Sequence, residues 1–228
     1  MGVGAAAPAL GDIVRVSSAP TVTRLSVFPL AGALLFPRMM LPLHIFEPRY
    51  RALVTDALAR DRRIGMIQPR QIAMRGGKEE KVSPLFDVGC VGKISDVEAL
   101  DDGRFNIVLE GLARFRVLRE LDVTTPFRQV EAELETLGEF ESLAIAERAA
   151  IESESRRFAD LQGYAVDWEA VARLDDESLV NGIAQIAPFD PASKQALLEA
   201  ATLRDRAELI VQLLAFYGRH DDETGTLQ

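Results

Sequence analysis

The sequence has 228 residues, 48% of them hydrophobic, and a formal net charge of −9, enough chain for one large domain or two small ones with a sizeable core. An acidic whole argues against a general nucleic-acid binder, because neutralising phosphates needs clustered basic groups. The single cysteine, Cys90, excludes an internal disulfide and fits a reducing cytoplasm.

The charge is divided unevenly. Residues 1 to 130 hold 18 Lys or Arg against 14 Asp or Glu, and residues 131 to 228 hold 8 against 21, so net +4 is followed by net −13. That contrast suggests two regions with different surfaces. Residues 1–21 are small and weakly patterned and are expected to form a flexible tail. The opening Met-Gly lacks the hydroxyl residue of a myristoylation signal, since Ala6 stands in its place.

Residues 28–50, FPLAGALLFPRMMLPLHIFEPRY, are strongly apolar, and Arg38 is the one plainly charged residue between Leu25 and Phe46. Pro29, Pro37 and Pro42 interrupt any helix there, so no span of about 20 residues can cross a bilayer. No basic run and cleavage site mark a secretory signal. Extended strand and loop are expected instead. Within the stretch, Leu34, Leu35, Phe36, Met39 and Met40 are the polypeptide-binding candidates, because neighbouring methionines on a proline-stiffened backbone suit varied apolar partners. Most of the five are expected to fill the core, with one or two left exposed.

Pro48 suits the first turn of a helix carrying Tyr50, Leu53, Val54, Ala57 and Leu58 at helical spacing, with Arg51, Asp56 and Arg60 facing solvent. Glu47 and Arg49 read as a local ion pair beside a packed Tyr50. RIGMIQP is a short strand ended by Pro69, and RQIAMRGGKEEKVSP is a loop. From Asp87 to Glu135 the period is two: Phe105, Ile107 and Leu109 alternate with Asn106 and Val108, then Phe115 and Val117 with Arg114 and Arg116. Asp102-Gly103 supplies a turn, and FRQVEAELE a further strand.

Beyond Gly138 the period becomes helical. Leu179, Val180, Ile183, Ile186 and Ala187 form one apolar stripe, and Ala207, Ile210, Val211, Leu214 and Tyr217 form another. Asp190 before Pro191 reads as a cap and first-turn proline, Thr202 caps the last helix, and Gly218 is placed to end it. The succession of strands, then helices, indicates an α+β fold with a compact sheet or small barrel.

Catalytic motifs are scarce. His44, His220 and Cys90 lie at no zinc-ligand spacing, and no metal or cofactor is expected. GGKEE lacks the first glycine and hydroxyl of a phosphate-binding loop, and no nucleophile elbow is present. His44, between Leu43 and Ile45, reads as structural and His220 as solvated. Arg60, Arg62, Arg63, Arg70 and Arg75 could form a basic edge, but few aromatic residues stand near them to stack bases.

The ordered segments LSVFPLAGALLFPRMMLPLHIFEPRYRALV, LFDVGCVGKI and GRFNIVLEGLARFRVL resemble the amino-terminal domain of Lon-type ATP-dependent proteases in its stand-alone form. LVNGIAQIAPFDPASKQALLEAATLRDRAELIVQLL is similar to the helical bundle that follows it there. The resemblance covers roughly residues 22 to 218. It implies a PUA-like, β-rich pseudo-barrel subdomain at 22–137, a helical subdomain at 138–218 and a tail at 219–228. It also implies a non-catalytic polypeptide-binding module, adaptor or chaperone-like, without ATPase or protease parts; Ser193 beside Lys194 falls within the helical bundle. Expected partners are unfolded or exposed apolar segments and a separate protease. RNA binding through the PUA-like fold, or a small ligand between subdomains, are the alternatives.

Overall fold

The alternation along Phe105, Ile107 and Leu109 belongs to the longest strand of a mixed sheet. The computed structural model describes residues 21–70, 83–135 and 141–225, with side chains as far as residue 219. Strands β1 (Thr21–Pro29) and β2 (Met40–Ile45) precede helix α1 (Pro48–Leu58), followed by β3 (Arg63–Ile67), β4 (Val88–Ala99), β5 (Phe105–Glu120) and β6 (Gln129–Leu134). Helices α2 (Ile145–Gln162), α3 (Trp168–Ala172), α4 (Asp176–Ile186), α5 (Pro191–Glu199) and α6 (Leu203–Gly225) complete the α+β fold. Of the expected tail at 1–21, Thr21 instead begins β1 and the rest lies outside the described residues, as does most of the loop after Arg70, including Arg75.

The strand order β2-β5-β4-β3-β1-β6, with β6 pairing back onto β5, closes five strands into a ring and leaves β2 attached at its side. This is possible because β5 is long and shares one edge between two partners. Phe105–Glu110 pairs with β2, and Phe115–Glu120 pairs with β6. Between them lies Gly111, where the chain before β2 comes closest: Arg38 N donates to Gly111 O and Gly111 N to Met39 O, both at 2.8 Å. A Cβ at Gly111 would overlap the Phe36 carbonyl, so only glycine fits this crossing. Arg38 itself takes φ 65°. β1 and β3 run parallel because β2 and α1 carry the chain back to its starting end, whereas the other pairs are antiparallel.

Leu25, Val27, Ile67, Val91, Phe115, Val130 and Ala132 fill a small core inside the ring. A larger core runs without interruption from Phe28, Leu35, Phe36, Leu53 and Ile94 to Ile151, Leu179, Leu197 and Ile210. Sheet and helices are therefore joined by shared apolar packing. Polar ties reinforce the join, with Gln68 Nε2 donating to Pro191 O at 2.9 Å and Gln195 Nε2 to Val88 O at 3.1 Å. Arg114 on β5 donates to the carbonyls of Leu198, Ala200 and Ala201 at the end of α5.

The helix signals in the sequence are mostly realised. Pro48 opens α1, whose buried side is Tyr50, Leu53, Val54 and Ala57. Asp190 Oδ1 accepts from the amides of Ala192 and Ser193, and Thr202 and Asp205 cap α6 reciprocally. Two expectations need correction. Gly218 does not end α6, which continues to Gly225; it is buried where α6 crosses α2, and a Cβ there would sit 3.3 Å from Leu161 Cδ1. Ile186 shares the stripe of Leu179 and Val180 but is 81% exposed, because α4 stops there and Ala187 turns the chain away at ψ 145°.

Candidate functional site

The apolar stretch before α1 divides at Arg38. Leu34, Leu35 and Phe36 are 5, 1 and 0% exposed and belong to the large core, where three such side chains together contribute roughly 5–9 kcal/mol. Their backbone, outside any strand, is held by Gln185 Oε1, which accepts from Phe36 N at 3.2 Å, and by Asn181 Nδ2, which donates to Pro37 O at 3.1 Å. Three of the five binding candidates are thus structural. Met39 is partly buried beside α4, and Met40 is 51% exposed.

Beyond the turn, β2 alternates as a half-buried strand should. Leu41, Leu43 and Ile45 point inward, and Met40, Pro42 and His44 point out, followed by Phe46 at 61% exposure. Among the described residues β2 is paired with β5 alone, and Pro42 removes one donor from its free edge. His44 Nδ1 lies 2.7 Å from Asn106 Oδ1, and Arg104 Nη1 lies 3.2 Å from His44 Nε2. Asn106 in turn donates to Glu98 at 2.7 Å. The histidine is therefore tied across β2, β5 and β4, and its ring stacks toward Phe46 with centroids 6.2 Å apart.

A second apolar surface was not legible from periodicity. Phe158 and Ala159 of α2, Tyr164 and Val166, Trp168 and Val171 of α3, Leu174, and Leu179, Ile183 and Ile186 of α4 line a groove with a cavity of about 250 Å³. The wall is almost wholly apolar. Tyr164, Val166 and Leu174 are 50, 37 and 42% exposed, and α3 has no buried residue. Ser155 Oγ, also on the wall, has no hydrogen-bond partner among the described residues. The available signal was the spacing of Tyr164, Val166, Trp168, Val171 and Leu174, apolar positions that follow neither a strand nor a single helical stripe.

Titratable groups are held for structure. Burial pushes the Arg206 guanidinium down to about 10, with the Arg114 charge adding to it, while Nε donates to Leu197 O at 2.8 Å and Nη1 to Asn181 Oδ1 at 2.6 Å. The Tyr217 hydroxyl, then the Ser193 amide and hydroxyl, hold Asp190 at about 2. Burial raises the Cys90 thiol and lowers Lys194, so Cys90 has little thiolate character. Ser193 Oγ donates to Asp190 at 2.7 Å and Lys194 Nζ to Gln185 O at 2.6 Å, which engages the adjacent pair in separate helix-end contacts. Among the described residues no three His, Cys, Asp or Glu are grouped to hold a metal ion, and no helix is long and apolar enough to cross a membrane. On the expected basic edge, Arg60 pairs with Asp56 at 3.0 Å, Arg63 with Asp61 at 3.8 Å and Arg70 with Asp87 at 2.8 Å.

Residues 24–215 match the family model described as the ATP-dependent protease La (LON) substrate-binding domain. A Lon protease of Anaeromyxobacter dehalogenans is 28% identical over 224 residues, covering 93% of this chain and 26% of its own length. Lon protease 2 of Sorangium cellulosum is 29% identical over 216 residues, covering 90% and 26%. The chain spans about a quarter of the length of these curated relatives. Among solved structures, a Lon N-terminal domain protein from Xanthomonas campestris matches with a TM-score of 0.61 at 22% identity, covering 85% of this chain and 98% of that one. The N-terminal domain of Mycobacterium avium complex Lon protease has the same score and coverage at 19% identity. At these identities the structural matches speak for the fold.

Proposed function

Given that the chain belongs to the ATP-dependent protease La (LON) substrate-binding domain family, we propose that it is a non-catalytic polypeptide-binding module for unfolded chains and exposed apolar segments. The observation that carries this is the outward face of β2, where Met40, Pro42, His44 and Phe46 project from a strand paired on one side. An extended apolar segment can lie along such a face, gaining contact with methionine and aromatic surface that adapts to different side chains. Met39 supports the strand from behind, and Leu34, Leu35 and Phe36 anchor it to the core. The bound segment would pass to a separate protease, or be held as an adaptor or chaperone holds it. A buried, unreactive Cys90 suits work in the cytoplasm.

The test is fluorescence anisotropy of a labelled, permanently unfolded polypeptide titrated with the full chain, beside its folded counterpart and an RNA. Selective and salt-tolerant binding of the unfolded chain is expected. Met40→Asp with Phe46→Asp changes two exposed positions and should weaken binding about tenfold or more while leaving the fold intact. Absence of binding to the unfolded chain would overturn the assignment, and tighter salt-sensitive binding of RNA would replace it.

A further inference from the structure

We propose that the groove between α2, α3 and α4 receives apolar side chains from a polypeptide segment whose flanking residues are basic. The proposal rests on the polypeptide-binding function for the class of ligand, and adds to it a second contact face and a rule of charge.

The cavity, about 250 Å³, falls below the roughly 300–1,000 Å³ of pockets that enclose small molecules. It fits one or two side chains presented by a longer chain. Ile186, Tyr164, Leu174 and Val166 gather at its opening with exposures of 81, 50, 42 and 37%, a clustering that single exposed hydrophobics do not show. Behind them Trp168, Leu179 and Ile183 offer an aromatic and two aliphatic walls.

Charge then selects the flanks. Residues 152–188, which supply every wall residue except Leu214, carry 8 carboxylates against 3 arginines. Two of the three arginines are engaged locally: Arg156 lies 4.4 Å from the Trp168 ring centroid and Arg157 pairs with Glu154, while Arg173 enters no salt bridge among the described residues. From outside, Arg148 reaches Glu152 and Asp176, and Arg38 reaches Asp175 and Glu177. Adding those two still leaves eight carboxylates facing five cations. Asp160 and Glu169, on two of the wall helices, enter no salt bridge among the described residues and are exposed. A Lys or Arg next to the inserted side chain meets this field favourably, and an acidic flank meets like charge.

The experiment compares two labelled peptides with the same Ile-Leu-Phe centre, one flanked by lysines and one by glutamates, titrated with the full chain at low and high salt. Two or three exposed charge pairs together amount to about tenfold, so the lysine peptide should bind about tenfold tighter at low salt, with the advantage shrinking at high salt. Ile186→Ser and Leu174→Ser should weaken it. Ile186 is exposed enough that its change spares folding, as a thermal melt would verify. Equal binding of both peptides, or indifference to Ile186 and Leu174 while unfolded polypeptide still binds, would overturn this proposal alone. Failure of the peptides and the unfolded polypeptide together would overturn the polypeptide-binding function as well.

Discussion

Replacing Arg114 with Met should loosen the join between sheet and helices. Its guanidinium donates to Leu198 O at 3.0 Å, Ala200 O and Ala201 O at 3.3 Å, and pairs with Glu135 at 2.6 Å. Hydrogen bonds to a charged group contribute about 1.5–3 kcal/mol each, but the four do not count equally. Ala201 is exposed and water replaces the donor there, and Glu135 keeps 40% of its side chain in solvent, where a pair contributes about 0–1 kcal/mol. Leu198 is buried and Ala200 half-buried, so two carbonyls at the negative end of α5 lose their partner, a gross loss of about 3–6 kcal/mol. Methionine refills part of the volume and removes the cost of confining a cation, which brings the net to about 3 kcal/mol. Urea unfolding followed by circular dichroism and by Trp168, the single tryptophan, would measure it. A lower midpoint is expected. Arg114→Lys should recover less than half of the loss, since one ammonium cannot fork to several carbonyls. A change below about 0.5 kcal/mol, or full rescue by lysine, would refute the reasoning.

Two further outcomes follow from the geometry. Gly111→Ala should cost about 3 kcal/mol or more, because its Cβ meets the Phe36 backbone; Gly182→Ala, whose Cβ would sit 3.8 Å from the Met39 sulfur, should instead gain up to about 1 kcal/mol, both read from the same urea curves. Asp190 is depressed to about 2 from 3.8, so its contribution of about 1 kcal/mol as a helix cap is present above pH 3.8 and lost as pH falls toward 2. Asp190→Asn should flatten that acid limb, and an unchanged acid limb would count against the cap's role.

Local chemistry in the chain was enough to place most elements. Pro48 marked α1, Asp190 with Pro191 marked α5, and the alternation through Leu109 and Phe115 marked β5. What sequence could not resolve were relations between distant segments. The inward turn of Leu34, Leu35 and Phe36 depends on Gly111 and Arg38 meeting across the sheet, and no period records that. Ile186 sits on a buried stripe yet faces solvent, because exposure at the last turn of a helix is set by where the chain goes next. Gly218 carries the signature of a helix stop, but close approach of α2 uses the missing side chain for packing instead. The groove was hidden for a related reason: its wall comes from four helices and the segments that join them, none of which carries the whole apolar surface.

The pairing of β1 has a consequence for how the protein is made. Val27–Pro29 can join β3 early, but Thr21–Ser26 pairs with Gln129–Leu134, about a hundred residues downstream. At a synthesis rate of about 5–20 residues per second, this part of β1 leaves the ribosome roughly 5–20 s before its partner exists. During that interval Leu25 has no barrel to enter, and the open edge is available to any other extended chain. Faster or chaperone-attended translation should therefore raise the soluble yield of this chain more than that of a protein whose strands pair in sequence order.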